Sequence, residues 1–350
     1  MYLYTNEKKE KYLSELYELI NLQIDNWNRA DNSYANLTFG YGLTSLAWTI
    51  ELILSSTIHI DKIDDWIEDV DAILINQYNL MLQQYNFDYF KGATGLLFYF
   101  LTKTKRLDCT ELLVDKFLFA LDGSKHKENS YYYKDLVNNN QQLKLNIGVP
   151  HGITGIILTL LIVKEKKIKC DIDKTLFYFL EKLMNNEVND EEQSWHFPST
   201  VISGFSFPSA LAWCYGDIMA GYALYKFGIL YENDYYYSHG LKILKETTLR
   251  KNQLLNTQNL ILCHGYPSII CIFDEIYKRT RDKVFMTSAN YYRDIAFKDL
   301  KAIFEEQEIQ NNFSDSFLGN FSLFYGLPGL VLSLLDSKEN KVNWKSCLLI

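Results

Sequence analysis

One short pattern recurs six times along the chain, and it constrains the fold more than any other feature. A polar or aromatic residue precedes a glycine, a small residue usually follows three positions later, and an apolar helical run comes next. The matches are Tyr41-Gly42-Leu43-Thr44-Ser45, Lys91-Gly92-Ala93-Thr94-Gly95, His151-Gly152-Ile153-Thr154-Gly155, Tyr215-Gly216-Asp217-Ile218-Met219, His264-Gly265-Tyr266-Pro267-Ser268 and Tyr325-Gly326-Leu327-Pro328-Gly329. Met219 is the weakest of them. The leading glycines stand at 42, 92, 152, 216, 265 and 326. Each interval has room for two helices and their connections. Six such hairpins predict an all-α chain closed into an α/α toroid, in which each repeat buries its apolar face against its neighbours. Glycine at a helix start is expected to supply backbone conformations that a β-carbon forbids.

The rest of the chain agrees with a helical reading. Ser14 to Trp27, Trp66 to Tyr85 and Thr175 to Met184 carry apolar residues every three or four positions. Strand-like alternation is scarce. Lys164 to Asp173 and Asn185 to Gln193 read as solvated connections. With no linker or composition break, residues 1–350 are expected to form a single domain.

Charge and composition then exclude several classes. The net charge is −8, the wrong sign for a general nucleic-acid binder. Six cysteines without regular spacing do not make a disulfide framework. There is no secretory signal pattern, and the longest apolar run, Gly152 to Val163, is too short to cross a bilayer. The expected location is the cytoplasm, where thiols stay reduced.

If the repeats are equivalent, residues in the same register cluster at one end of the toroid. The position before each leading glycine holds Tyr41, Lys91, His151, Tyr215, His264 and Tyr325. The position before that holds Gly40, Phe90, Pro150, Cys214, Cys263 and Phe324. Two cysteines thus share a register in adjacent repeats, and a histidine follows the second. Cys214, Cys263 and His264 form a Cys₂His set, and soft thiolates with imidazole select zinc. Three protein ligands leave one tetrahedral position open, as in catalytic zinc sites. Such a site carries no net charge and suits holding a thiolate better than splitting water.

Here the sequence resembles a known family. Asn146-Ile147-Gly148-Val149-Pro150-His151-Gly152-Ile153-Thr154-Gly155, Trp213-Cys214-Tyr215-Gly216 and Cys263-His264-Gly265 are similar to the three signature motifs of the LanC family of lanthipeptide cyclases. The resemblance runs from about Gly42 to Gly329. It implies an α/α toroid with one zinc ion per chain, held by Cys214, Cys263 and His264. It implies addition of a peptide cysteine thiol to dehydroalanine or dehydrobutyrine, giving a lanthionine or methyllanthionine thioether. His151 matches the family's active-site histidine, and Asp88 stands where the family carries an acidic residue facing the site. Trp213 and Tyr215 match the aromatic residues beside the first cysteine ligand, at the substrate. Many relatives carry an arginine where this chain has Ala210.

An imidazole titrates near neutrality, so His151 is the natural proton donor to the α-carbon, or acceptor of the thiol proton. Asp88 would orient it. The implied partners are a dehydrated precursor peptide, a separate dehydratase and an exporter, with no nucleic acid and no transmembrane segment. Two other readings predict different outcomes: addition of glutathione or another small thiol to dehydrated residues, and a non-catalytic zinc-containing peptide scaffold. A glycan-active toroid needs paired carboxylates, and Asp88 has no partner in register.

The remaining candidates read as structural. Lys91 is expected in solvent, Asp217 as a helix-start carboxylate, and His239 on the surface. His59, His126 and His196 lack motif partners, as do Cys109, Cys170, Cys271 and Cys347. Gly40 to Ser45 mimics a dinucleotide fingerprint, but no strand precedes it.

Overall fold

The structure is a computed structural model of the whole chain. It describes residues 10–29, 36–55, 63–103, 108–124, 144–188, 194–250, 260–310, 322–335 and 343–350. His59 and His126 lie outside these residues.

Six helices start directly after a leading glycine. They are α2 (Leu43–Leu54), α4 (Ala93–Thr102), α6 (Ile153–Glu165), α8 (Asp217–Leu230), α10 (Tyr266–Thr280) and α12 (Leu327–Leu335). The others are α1 (Glu10–Arg29), α3 (Ile63–Gln83), α5 (Thr110–Ser124), α7 (Asp173–Met184), α9 (Asp234–Thr247) and α11 (Lys283–Gln310). The two sets differ as physics requires of central and covering helices. Residues 93–101 of α4 and 217–228 of α8 are buried without interruption. On α9 only Gly240, Ile243, Leu244 and Thr247 are buried, one stripe of the helix.

The chain forms two compact units. The first comprises Met1–Ser130, Ile162–Thr175 and Lys341–Trp344. Its α1, α2 and α3 meet through Ile20, Ile50, Ile53, Ile63 and Ile67. Burying each of these contributes roughly 1.5–3 kcal/mol relative to exposure. A buried ionic group ties α2, α3 and the end of α4: Lys103 Nζ lies 2.7 Å from Glu51 and 2.8 Å from Asp71, and the Tyr99 hydroxyl donates to Asp71 at 2.7 Å.

The second unit comprises Tyr131–Leu161, Leu176–Asn340 and Lys345–Ile350. Here α8 and α9 touch backbone to backbone. A β-carbon on Gly240 would lie 2.4 Å from the Tyr225 nitrogen, and one on Gly228 would lie 2.3 Å from that of Tyr237.

Three short strands depart from the all-helical expectation. β1 (Lys144–Asn146), β2 (Thr200–Ile202) and β3 (Phe205–Phe207) form an antiparallel sheet in the order β1-β2-β3. Three residues are too few to show alternation in a sequence. They pair because the backbone leading into the His151 and Cys214 loops must satisfy its polar groups. The connection after α6 is also less solvated than expected, since Ile168 and Ile172 are buried in it.

Candidate metal centre

The loops before α2, α4 and α6 share one construction. Six residues before the leading glycine stands an asparagine, and its Oδ1 accepts a backbone N–H two residues on. Asn36 accepts from Thr38 at 3.0 Å, Asn86 from Asp88 at 3.2 Å and Asn146 from Gly148 at 2.8 Å. A threonine in the first helical turn closes the loop by donating to a carbonyl seven residues back. Thr94 reaches the Phe87 carbonyl at 2.6 Å, Thr44 that of Leu37 and Thr154 that of Ile147. The loop thus folds back over its own helix start and satisfies N–H groups that a helix leaves orphaned.

This folding-back explains the glycines and corrects the sequence-based reason for them. Gly42, Gly92, Gly216 and Gly265 have extended backbone that any residue could adopt. What Gly42, Gly92 and Gly216 lack is space. A β-carbon would lie 1.8 Å from the Asn36 carbonyl at Gly42 and 2.0 Å from that of Ala212 at Gly216.

The loops are also bonded to one another in register. In the first unit the Gly40 N–H donates to the Phe90 carbonyl at 2.8 Å. In the second, Cys214 donates to Cys263 at 3.2 Å and Cys263 donates to Phe324 at 3.0 Å. The position two before the leading glycine is thus bonded between neighbouring loops, once in the first unit and as a ladder of three rungs in the second. It is buried in five repeats and half-buried at Gly40, whereas the next position is half-buried or exposed in all six.

Cys214 and Cys263 are consecutive rungs of that ladder, so their side chains meet. Together with His264 they present ligand atoms that all lie within 4.8 Å of one another, and Cys214 Sγ is 3.2 Å from His264 Nδ1. Among the described residues no other three His, Cys, Asp or Glu side chains could hold an ion. The two thiols divide the work of charge. A hydrogen bond from Cys214 draws the Cys263 thiol down to about 6 against the effect of burial, and hydrogen bonds from His264 and Tyr325 assist. Burial pushes the Cys214 thiol well above its ordinary range, and the neighbouring Cys263 reinforces this. The pair therefore favours a thiolate on Cys263 over one on Cys214. Two soft sulfurs with one imidazole nitrogen fit zinc.

The flanking residues separate by exposure. Tyr215 is 38% exposed, and its ring is 6.4 Å from that of half-buried His151. Trp213 is fully buried; its ring stacks on Phe324 at 5.3 Å and its indole N–H donates to the Leu348 carbonyl at 2.9 Å. Of this pair it is Tyr215 that reaches the surface, and Trp213 packs behind the cysteine. Asp88 belongs to the first unit. It is buried, and its Oδ1 accepts the Lys91 N–H at 2.7 Å, a cap on its own loop; Lys91 itself is exposed.

Two histidines set aside in the sequence have structural partners. His239 is half-buried, not on the surface: its Nε2 lies 2.8 Å from Glu187 because close packing at Gly240 draws this face of α9 inward. His196 pairs with Glu246. Cys271 and Cys347 are buried and form no disulfide, and burial raises the Cys347 thiol. Sequence reasoning missed Tyr325 as a partner of Cys263, although it stands in the same register as His151 and His264.

Comparison with known proteins follows from this arrangement. A 97% share of the chain superimposes on 98% of a solved structure named nisin cyclase, with a TM-score of 0.67 and 19% sequence identity. The helical architecture is that of an α/α toroid. The profile of the lanthionine synthetase C-like proteins matches residues 1–349, and the chain belongs to that family. The nisin biosynthesis protein NisC of Lactococcus lactis subsp. lactis is 24% identical over 320 residues, covering 83% of this chain and 71% of that protein. No helix among the described residues is long and apolar enough to cross a membrane.

Proposed function

We propose that the chain is a zinc-dependent cyclase that closes thioether rings in a dehydrated peptide. The observation that carries this reading is the convergence of Cys214, Cys263 and His264 on consecutive loops. Those three residues would hold one zinc ion. Bound there, zinc would supply soft Lewis acidity that favours the thiolate form of an incoming thiol.

In this reaction the peptide's cysteine sulfur adds to the β-carbon of a dehydroalanine or dehydrobutyrine. The carbon–carbon π pair moves toward the adjacent amide carbonyl, and a proton arrives at the α-carbon. No atom leaves, so substrate and product have equal mass. His151, half-buried beside exposed Tyr215, is the group we assign to carry the proton. Tyr215 contacts the peptide, and Trp213 holds the cysteine loop from behind. Asp88 is the second residue that we assign to catalysis, through its charge. The same reading places the protein in the cytoplasm, receiving its substrate from a separate dehydratase and passing its product toward an exporter.

The test measures zinc by elemental analysis and follows a dehydrated precursor peptide by mass spectrometry after thiol alkylation. Wild type should hold about one zinc and convert the peptide to a form of unchanged mass that no longer takes up alkylating reagent. Cys263→Ala should lose both zinc and turnover. A reduced wild type without zinc would sink the reading. An adduct carrying the mass of glutathione, when that thiol is supplied, would redirect it to intermolecular thiol addition.

A further inference from the structure

The fourth repeat lacks the fastening that shapes the first three loops. The asparagine position is Ala210 and the threonine position is Ile218. Yet this is the loop that must present Cys214. What holds it instead is a buried charge pair. Arg250 donates from Nη1 and Nη2 to the two oxygens of Asp217, at 2.8 and 2.5 Å. Asp217 is 1% exposed and Arg250 is 9% exposed.

The pair is set within a wider bracing of the same loop. The His196 N–H donates to Asp217 Oδ2 at 2.8 Å. The Asp217 N–H donates to Ser209 Oγ at 2.7 Å, and that hydroxyl donates to the Tyr215 carbonyl at 3.0 Å. The Tyr292 hydroxyl donates to the Arg250 carbonyl at 2.6 Å and fixes the arginine's backbone. Thus Ser209 clamps the loop across its two ends, and Arg250 anchors the clamp from outside.

We infer that Asp217 and Arg250 are positioning residues for the Cys214 sulfur, an assignment that rests on the metal-site reading above. Metal ligands must be placed to within about 0.2 Å. A bidentate, charge-assisted pair is stronger and more directional than the neutral hydrogen bonds that fasten the first three loops. Asp217 lies three residues from Cys214, so a slip at the brace moves a ligand whose backbone is also a rung of the ladder. Neither side chain touches the reacting atoms; both act through Cys214.

The experiment compares wild type with the charge-neutral double variant D217N/R250M and with Arg250→Lys, which keeps the charge and loses the fork. Zinc affinity is read by chelator competition, and ligand geometry by the absorption bands of the cobalt(II)-substituted protein. Melting of the metal-free form is recorded for each. Asp71→Asn, in the buried ionic group of the other unit, serves as a control that disturbs a buried ion pair outside the metal-site loops. For either positioning variant, zinc affinity should fall roughly tenfold or more and the cobalt bands should shift. Asp71→Asn should leave both at wild-type values whatever it does to melting. If the double variant does not fold, Arg250→Lys decides. Folded variants with wild-type affinity and spectrum would overturn the inference alone. A wild type that takes up neither metal would overturn the metal reading and this inference with it.

Discussion

The loop before α4 and the loop before α8 stand in the same register and are fastened by different chemistry. The first, Asn86 to Gly92, is tied by a neutral amide and by the Thr94 hydroxyl, with Asp88 capping Lys91 from within. The second, Ser209 to Gly216, is tied by a serine and by an arginine fork that meets the loop one residue beyond its end. In the first the loop's carboxylate helps to hold the loop. In the second the fastening lies at the ends, and the side chains of Cys214 and Tyr215 are left for other partners. A loop can keep its register while the task of holding it passes to residues that the chemistry does not need.

That contrast can be broken experimentally in order of effect. His151→Ala should retain zinc and lower the cyclisation rate by about 10²–10⁴, measured by the alkylation assay. A wild-type rate would remove His151 as the proton carrier. Asp88→Asn keeps an acceptor for Lys91 and removes the charge. It should slow turnover without a large loss of stability, which separates the carboxylate's two assigned roles.

Gly216→Ala and Gly92→Ala each place a methyl against backbone, at 2.0 Å in the first and 2.6 Å in the second. Overpacking of this kind typically costs about 1–3 kcal/mol, visible as a lower Tm. Only Gly216→Ala should also weaken zinc binding; an equal effect from both would erase the distinction between the loops.

The metal-free protein should gain one thiolate as pH rises through about 6, because Cys263 is the depressed member of the pair. Below that pH both thiols are protonated. The thiolate ultraviolet absorbance should follow this step, and Cys263→Ser should abolish it. The smallest effect belongs to Thr94→Val, which leaves the Phe87 carbonyl without its hydroxyl donor. It should cost on the order of 1 kcal/mol in a denaturant melt and leave zinc affinity unchanged.

The register of the cysteines was legible because glycines and apolar runs repeat locally and can be aligned by eye. The fastening of the loops was also written there. Asn36, Asn86 and Asn146 stand six residues before their glycines, as Asn259 and Asn320 do in sequence. Alignment forward from the glycine, toward the helix, passed over them. The Asp217–Arg250 pair spans 33 residues and has no periodicity to announce it. Tyr325 could be placed in register, but whether its phenol meets the Cys263 sulfur depends on a rotamer. His239 was assigned to the surface because its glycine lacks a helix-start pattern. Gly240 serves instead a crossing of two helices, which no local window contains.

The alternation of buried and open positions just before each leading glycine works like a reading frame. Between repeats the chain can gain or lose residues, since the glycines are unevenly spaced from 42 to 326. From asparagine to glycine the spacing is six residues in each of the five repeats that carry the asparagine. Deleting Tyr215 would move Cys214 into the open position next to its glycine. Natural variation in such a chain, and any engineered insertion, belongs in the segments that join the helices at their far ends.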